Sequence, residues 1–343
     1  MRKFIGFDIG GTHIKHGLIT EEGEELSSDE YDTHYDPDAF KKAWREAVER
    51  YQQNDDIAGI GVSFPGYINP NTGHVPKAGA LTFLDGCNLL ELFGELTSLP
   101  VTVENDANCA ALGEMWRGAG QRYDSFICMT IGTGIGGGLI LNRELLRGAH
   151  FRAGEFGVIP VGDNGENMHQ IASARGLVEA SRQALSLPSD APLHGKEIFE
   201  RMGSDMHLRE VVERWVSYLA RGVYSVVSLY DPQVVLIGGG ISQQKELYPM
   251  LERTLEKYNF WDALRVPIQP CQLGNQAGRL GAVWLAKQKQ YPRRDGAYAL
   301  HRRAINRHDF RVACLHRIGK TAGVFERVFR QLSNVIFTHS QLA

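Results

Sequence analysis

Hydrophobic and polar positions alternate along this chain with two periods. Short apolar runs of strand length occur at residues 3–7, 13–19, 57–62, 99–103, 125–129, 139–141 and 234–237. Most are bounded by Gly, Pro, Asp or Asn, and they predict buried β-strands. Between them the period lengthens to that of a helix. Phe40, Ala43, Trp44, Ala47, Val48 and Tyr51 line one face of a predicted amphipathic helix. Val211, Val212, Trp215, Leu219 and Val223 do the same over 207–230, a core helix with a face for a dimer contact. Residues 244–263 read as a further surface helix, and 274–282 open a last helix running to about Lys289. The acidic, polar stretch 21–38 reads as a turn and connection. Strands alternating with helices predict an α/β fold.

Three glycine clusters interrupt the strands. Asp8-Ile9-Gly10-Gly11-Thr12 separates the runs 3–7 and 13–19. A Gly-Gly hairpin leaves its N–H groups open to an anion, and Thr12 adds a hydroxyl. Asp8 is placed to hold a magnesium ion or its water; an ordinary hairpin is the competing reading. Gly132, Thr133, Gly134 and Gly136 follow the run 125–129 and again precede a strand. A dinucleotide-binding glycine motif should open a helix, which counts against that alternative. Repetition of one plan predicts two duplicated halves facing a cleft. The third cluster, Gly238, Gly239 and Gly240, offers bare backbone to an adenine or ribose.

Two further stretches carry polar groups at strand ends. Ser63, Pro65 and Gly66 follow the run 57–62 and either present hydroxyl and backbone groups to a polyol or form a plain turn. Glu104-Asn105-Asp106-Ala107-Asn108 follows the run 99–103 and precedes an Ala-rich helix start. This is where open α/β sheets bind ligands, and a catalytic base suits the place. Asp106 or Asn108 would equally serve as a helix cap.

Composition narrows the class. The 343 residues are 43% hydrophobic, enough for a large core in two or three domains. The chain shows no apolar run long enough to span a bilayer and no signal-peptide pattern, so the cytoplasm is expected. Five cysteines without a Cys-x-x-Cys pair indicate neither a disulfide framework nor a thiolate zinc site. Net charge is −3, yet residues 291–343 hold ten Lys and Arg against three Asp and Glu. That basic extension has no recognition motif, and no nucleic-acid partner is expected.

Taken together, the segments Asp8-Ile-Gly-Gly-Thr12, Glu104-Asn-Asp-Ala-Asn108, Ile131-Gly-Thr-Gly-Ile-Gly-Gly-Gly138, Ala153-Gly-Glu-Phe-Gly157 and Ile237-Gly-Gly-Gly240 resemble, in order and spacing, the ROK family of bacterial sugar kinases and sugar-responsive repressors. The resemblance covers roughly residues 3–288. It implies an α/β, two-domain, actin-like ATPase (ribonuclease H-like) fold with a ligand cleft between the domains. A smaller domain over 1–118, completed by a helix around 281–290, would face a larger one over 119–280. The resemblance further implies ATP and Mg2+, with Asp106 as general base for a sugar 6-hydroxyl and Asn105 holding neighbouring hydroxyls. Asp8, Gly10, Gly11, Thr12, Gly132, Thr133, Gly134 and Gly136 would hold metal and phosphates, and Gly238, Gly239 and Gly240 the adenosine. A homodimer is expected on the same ground.

One departure bears on substrate. Many members follow Gly-Glu-x-Gly with a His and a cysteine cluster for structural zinc. Here Gly157 is followed by Val158, and 159–170 holds no cysteine, so no structural zinc is expected. By the same resemblance the His that would contact the sugar near C1 and a Glu that would grip its C1 and C2 hydroxyls are also missing, with His169 near the latter's place, while Glu155 remains to accept hydrogen bonds from the sugar. An open C1 side would admit a second ring. The chain is most similar to the zinc-free β-glucoside kinase branch, which implies phosphorylation of the non-reducing glucose of a sugar such as cellobiose; glucokinase or N-acetylmannosamine kinase is the alternative. A sugar-sensing regulator would need a helix-turn-helix ahead of the strand at residue 3, which this sequence does not show.

Overall fold

The computed structural model describes residues Met1–Tyr291, which form one compact unit. The basic extension beyond them lies outside the described residues. Chain order begins β1 (Lys3–Ile9), β2 (His13–Thr20), β3 (Glu25–Asp32), α1 (Pro37–Gln52), β4 (Ile57–Phe64), α2 (Leu89–Gly94), β5 (Val101–Asn105) and α3 (Asp106–Arg117). It continues with β6 (Phe126–Ile131), β7 (Ile135–Leu141), β8 (Glu144–Leu145), α4 (Met168–Ile171), α5 (Ala174–Ala184), α6 (Gly195–Arg201) and α7 (Met206–Tyr230). Last come β9 (Val235–Gly238), α8 (Leu247–Leu255), α9 (Trp261–Leu264), β10 (Ile268–Pro270) and α10 (Ala277–Gln290).

The strands make two five-stranded sheets, ordered β3-β2-β1-β4-β5 and β10-β9-β6-β7-β8. Read from their edges, the two have one plan. An antiparallel hairpin (β1–β2, β6–β7) extends to a third antiparallel strand, and the hairpin's first strand pairs in parallel with a later one. Both glycine clusters that precede strands sit at the hairpin turns. The repetition expected from sequence is therefore a repetition of topology.

Helix α1 covers one face of the first sheet with Phe40, Trp44, Ala47, Val48 and Tyr51. Trp44 stacks on Phe7 at 5.2 Å and on Phe93 at 4.6 Å between ring centroids. Its start is capped by Asp36, whose carboxylate accepts from the Ala39 N–H. α10 crosses the other face and packs on α3 as well. Bare backbone makes the approach possible: a β-carbon at Gly61 would overlap the Ala282 carbonyl, and one at Gly281 the Cys109 carbonyl. α7 is the spine of the second core, burying Val212, Trp215, Leu219 and Val223. It ends at Asp231, whose φ of 51° is left-handed.

Two expectations are corrected. Residues 25–32 form strand β3 rather than part of a connection. Six of its eight residues are exposed, so an edge strand held by backbone pairing carries no apolar alternation. The helix expected over 244–263 is broken into α8 and α9 by Phe260, at φ 66°. α8 is a surface helix whose stripe of Leu247, Leu251 and Leu255 is buried against the core. None of the described helices is long and apolar enough to cross a membrane.

Candidate active site

Strand β5 hands directly into α3, and the junction resolves which residue caps the helix. The cap is Asn105, whose side-chain oxygen accepts from the Asn108 N–H at 3.0 Å. Its amide nitrogen donates to Gly66 O at 3.1 Å and to Asp106 Oδ1 at 3.0 Å. Ala107 N–H donates to the same Asp106 oxygen at 2.8 Å. Oδ2 of Asp106 has no hydrogen-bond partner among the described residues. One oxygen is held by the helix start, and the other is left for a ligand.

Asp106 opens into a cavity of about 940 Å3 lined from both sheets, within the size range of small-molecule sites. Although its carboxyl meets cavity solvent, protein crowds it on the remaining sides. Desolvation, reinforced by the charge of Asp8, pushes its pKa up to about 6. Asp8 faces the same cavity from the end of β1 and accepts from Ser63 Oγ at 2.6 Å. Burial raises its pKa as well, opposed by that hydrogen bond and by Arg279. Glu155 completes the acidic lining, raised by burial and by Asp106 and lowered by Arg152.

Behind this surface lies Glu104, 2% exposed. Its Oε1 accepts from the Asn105 N–H and from Asn108 Nδ2, both at 3.0 Å. Its Oε2 accepts from Arg147 Nε at 2.6 Å. The carboxylate thus ties the cap to residue 147, which lies in the second half of the chain.

The two hairpin turns face the cavity with unspent donors. Gly10 N–H donates to His13 O and Gly132 N–H to Gly134 O, which closes each turn. The N–H groups of Gly11, Thr12, Thr133 and Gly134 have no protein partner among the described residues, and all four residues line the cavity. Such bare N–H groups suit the oxygens of a polyphosphate. The first turn is fixed from outside by Tyr35 Oη donating to Gly11 O at 2.7 Å and by Thr33 Oγ1 donating to Gly10 O at 2.8 Å.

Most residues singled out in the sequence meet here: Asp8, Gly10, Gly11, Thr12, Gly66, Asn105, Asp106, Gly132, Thr133, Gly134, Gly136, Glu155 and Gly239 all line the cavity. Ser63, expected to face a polyol, is instead fully buried and spends its hydroxyl on Asp8. Gly238 closes β9 beside Cys271, and Gly240 begins a short 3-10 turn; of the third cluster only Gly239 reaches the cavity wall. Its φ of 86° and close approach to Ile131 O leave no room for a side chain.

Two further residues line the cavity without having been singled out as site residues in the sequence: Tyr35, in the polar connection, and Asn275, at the start of the last helical segment. Sequence reasoning noticed His169 without a role. The ring fits a slot against Gly134 and Gly157, and its Nδ1 accepts from the Ile135 N–H at 3.0 Å. Burial lowers its pKa, so the ring is neutral at pH 7 with its proton on Nε2. No group of three or more His, Cys, Asp or Glu among the described residues could hold a metal ion. A magnesium ion arriving with a nucleotide needs only one or two carboxylates beside the phosphates, which Asp8 satisfies.

Two sheets of one topology, a cavity between their glycine turns and a half-spent carboxylate facing it are the arrangement expected of an actin-like ATPase fold. The comparisons with known proteins go further, because the sequence model of the ROK family matches residues 4–289. The chain belongs to the ROK family. A β-glucoside kinase from Listeria monocytogenes is 36% identical over 302 residues, covering 84% of this chain and 98% of that protein. A ROK family protein from Streptococcus pneumoniae, solved in complex with sucrose, is 30% identical with a TM-score of 0.74 over 84% of this chain and 99% of its own. A ROK family glucokinase from Streptomyces griseus, solved with glucose and AMPPNP, is 32% identical with a TM-score of 0.71, covering 83% and 99%.

Proposed function

We propose that this chain is an ATP-dependent sugar kinase that transfers the γ-phosphoryl group to the 6-hydroxyl of a hexose, the non-reducing glucose of a β-glucoside such as cellobiose. The observation that carries the reading is Asp106: one oxygen pinned, the other free, opposite two turns rich in unspent N–H donors. A primary alcohol is a poor nucleophile at neutral pH. A carboxylate with a pKa of about 6 is ionised at pH 7 and still basic enough to take its proton. As the O6–phosphorus bond forms, the bond from the γ-phosphorus to the bridging oxygen breaks, the proton passes to Asp106, and ADP leaves. Magnesium, when bound, neutralises charge on the phosphates.

In this reading Asn105 and Glu155 hold the sugar hydroxyls, with the Gly66 carbonyl beside them. Gly10, Gly11, Thr12, Gly132, Thr133, Gly134 and Gly136 form the phosphate cradle, Asp8 takes the metal or its water, and Gly239 borders the adenosine. Positioning and pre-aimed donors then supply most of the rate enhancement. A smaller domain over 1–118, closed by α10, faces a larger one over 119–280. A homodimer and a cytoplasmic setting are part of this reading, the first on the ground of family resemblance and the second because it accords with a sugar kinase. The relatives support a disaccharide: one is a β-glucoside kinase and another was solved with sucrose.

The test is ADP release with ATP and magnesium against cellobiose, gentiobiose, glucose, N-acetylmannosamine and fructose, beside Asp106→Asn. Turnover strongest on the disaccharides and lost in the variant is the expected result. A preference for free glucose or N-acetylmannosamine keeps the kinase and removes the β-glucoside assignment. Full activity in Asp106→Asn removes the base.

A further inference from the structure

Tyr67 on the cavity wall, and Arg152 beside it on the protein surface, are two side chains that the phosphotransfer reading leaves without work. Tyr67 lines the cavity directly after Gly66, whose carbonyl accepts from Asn105. The guanidinium carbon of Arg152 lies 5.1 Å from the centre of the Tyr67 ring. Arg152 is exposed, and among the described residues its side chain forms no ion pair or hydrogen bond. An unspent planar fork of donors beside a half-buried aromatic face is an unusual thing to leave at the mouth of a polar cavity.

Chain geometry says which end of a substrate would reach it. Glu155 follows Arg152 by three residues, in a turn closed by Glu155 N–H donating to Arg152 O at 3.4 Å. Burial and the charge of Asp106 raise the pKa of the Glu155 carboxyl, and the charge of Arg152 opposes them. Asp106, Glu155 and Tyr67 share the cavity wall, and Arg152 adjoins Tyr67. The segment bearing Arg152 and Glu155 is not free to drift. Its beginning is moored by Arg147 to Glu104, one residue before the cap Asn105, and Ala153 N–H donates back to Arg147 O at 3.1 Å. The start of this segment is thus tied to the strand-to-helix junction that bears the base.

We propose that Tyr67 and Arg152 form the subsite for the second ring of a disaccharide substrate, the hexopyranose attached at C1 of the glucose that Asp106 and Glu155 address. This deepens the β-glucoside reading above and rests on it. A pyranose has an apolar face of C–H groups and an equatorial rim of hydroxyls. The Tyr67 ring takes the face, as aromatic side chains with one apolar side and one wet edge do. The guanidinium, which covers the ring's other side, donates through its fork of N–H groups to rim hydroxyls that reach past the ring edge. With free glucose bound, the same donors face water and contribute nothing. The platform therefore raises disaccharide turnover selectively.

The experiment compares kcat/KM for cellobiose and for glucose in the full-length enzyme, in Arg152→Gln, Tyr67→Ala and Tyr67→Phe. Arg152 is exposed, so its variant tests the subsite even should Tyr67→Ala fold poorly. The expected result is a fall of about tenfold in the cellobiose-to-glucose ratio for Arg152→Gln and Tyr67→Ala. Tyr67→Phe, which keeps the ring, holds the ratio near that of the unaltered enzyme. An unchanged ratio in both truncations, with the unaltered enzyme active on cellobiose, overturns the subsite and leaves the β-glucoside kinase standing. An unaltered enzyme that turns over glucose and no disaccharide overturns both.

Discussion

Arg147 Nε donates to Glu104 Oε2 across 2.6 Å, and this ion pair, buried at its carboxylate end, joins the second half of the chain to the residue before the cap of α3. The other oxygen of Glu104 accepts from Asn105 and Asn108, so the carboxylate that anchors Arg147 also shapes the strand-to-helix junction that presents Asp106. Removing the cation leaves a charge at a side chain 2% exposed, and breaking such a pair costs about 3–5 kcal/mol. Arg147→Met is expected to lose stability of about that order in urea titrations. Its KM for sugar should rise more than its KM for ATP, because the residues it steadies lie at the proposed sugar side.

Asp106→Asn should lower kcat by roughly 10²–10⁴-fold, the range of a lost general base. In the unaltered enzyme kcat/KM should fall with acidity below a pH of about 6, as Asp106 takes up its proton. Steady-state rates between pH 5 and 8 check this, and a flat acid limb would remove the assignment.

The same carboxyl makes a stability prediction of opposite sense. Its folded pKa is raised, so the native state binds more protons than the unfolded chain in the window between about 4 and about 6. Its stabilising contribution is whole below that window and is lost as pH rises through it. Asp106→Asn removes the penalty, and the melting-temperature difference between variant and parent should grow in the variant's favour from pH 4 to pH 7.

A methyl group at Gly281 would overlap the Cys109 carbonyl oxygen, where α10 meets α3. Gly281→Ala should therefore cost about 1–3 kcal/mol despite the better helix propensity of alanine. Thermal unfolding measures it, and a stabilised variant would show that the two helices separate easily.

His169 holds the second glycine turn through the Ile135 N–H. Its replacement by Ala leaves that buried donor unsatisfied, at about 1–3 kcal/mol. Loosening the turn should raise KM for ATP, read from initial rates at saturating sugar.

Much of this was legible in the residues themselves. Glycine turns between apolar runs are local chemistry, and both hairpins lie where Gly10-Gly11 and Gly132-Thr133-Gly134 predict them, followed by strands that exclude a helix-opening dinucleotide motif. The helix 206–230 and the family-bearing segments were legible for the same reason: periodicity and turn residues act over a few positions. β3 was hidden because an exposed edge strand owes its place to its neighbour β2 and not to its own pattern.

Tertiary structure alone decided which polar groups face the cavity. That Asn105 caps α3 and leaves one oxygen of Asp106 free is a matter of hydrogen bonds to Gly66 and Asn108, not of residue type, since Asp, Asn and Ser all serve as caps. Ser63 turned inward because Asp8 lies opposite it on the paired strand β1, 55 residues away in sequence. The moorings of Glu104 by Arg147 and of Ile135 by His169 span 43 and 34 residues. The sequence by itself thus determined the turns, the cores and the family, all written in local pattern. The site's geometry was decided by contacts between distant residues, which no local pattern records.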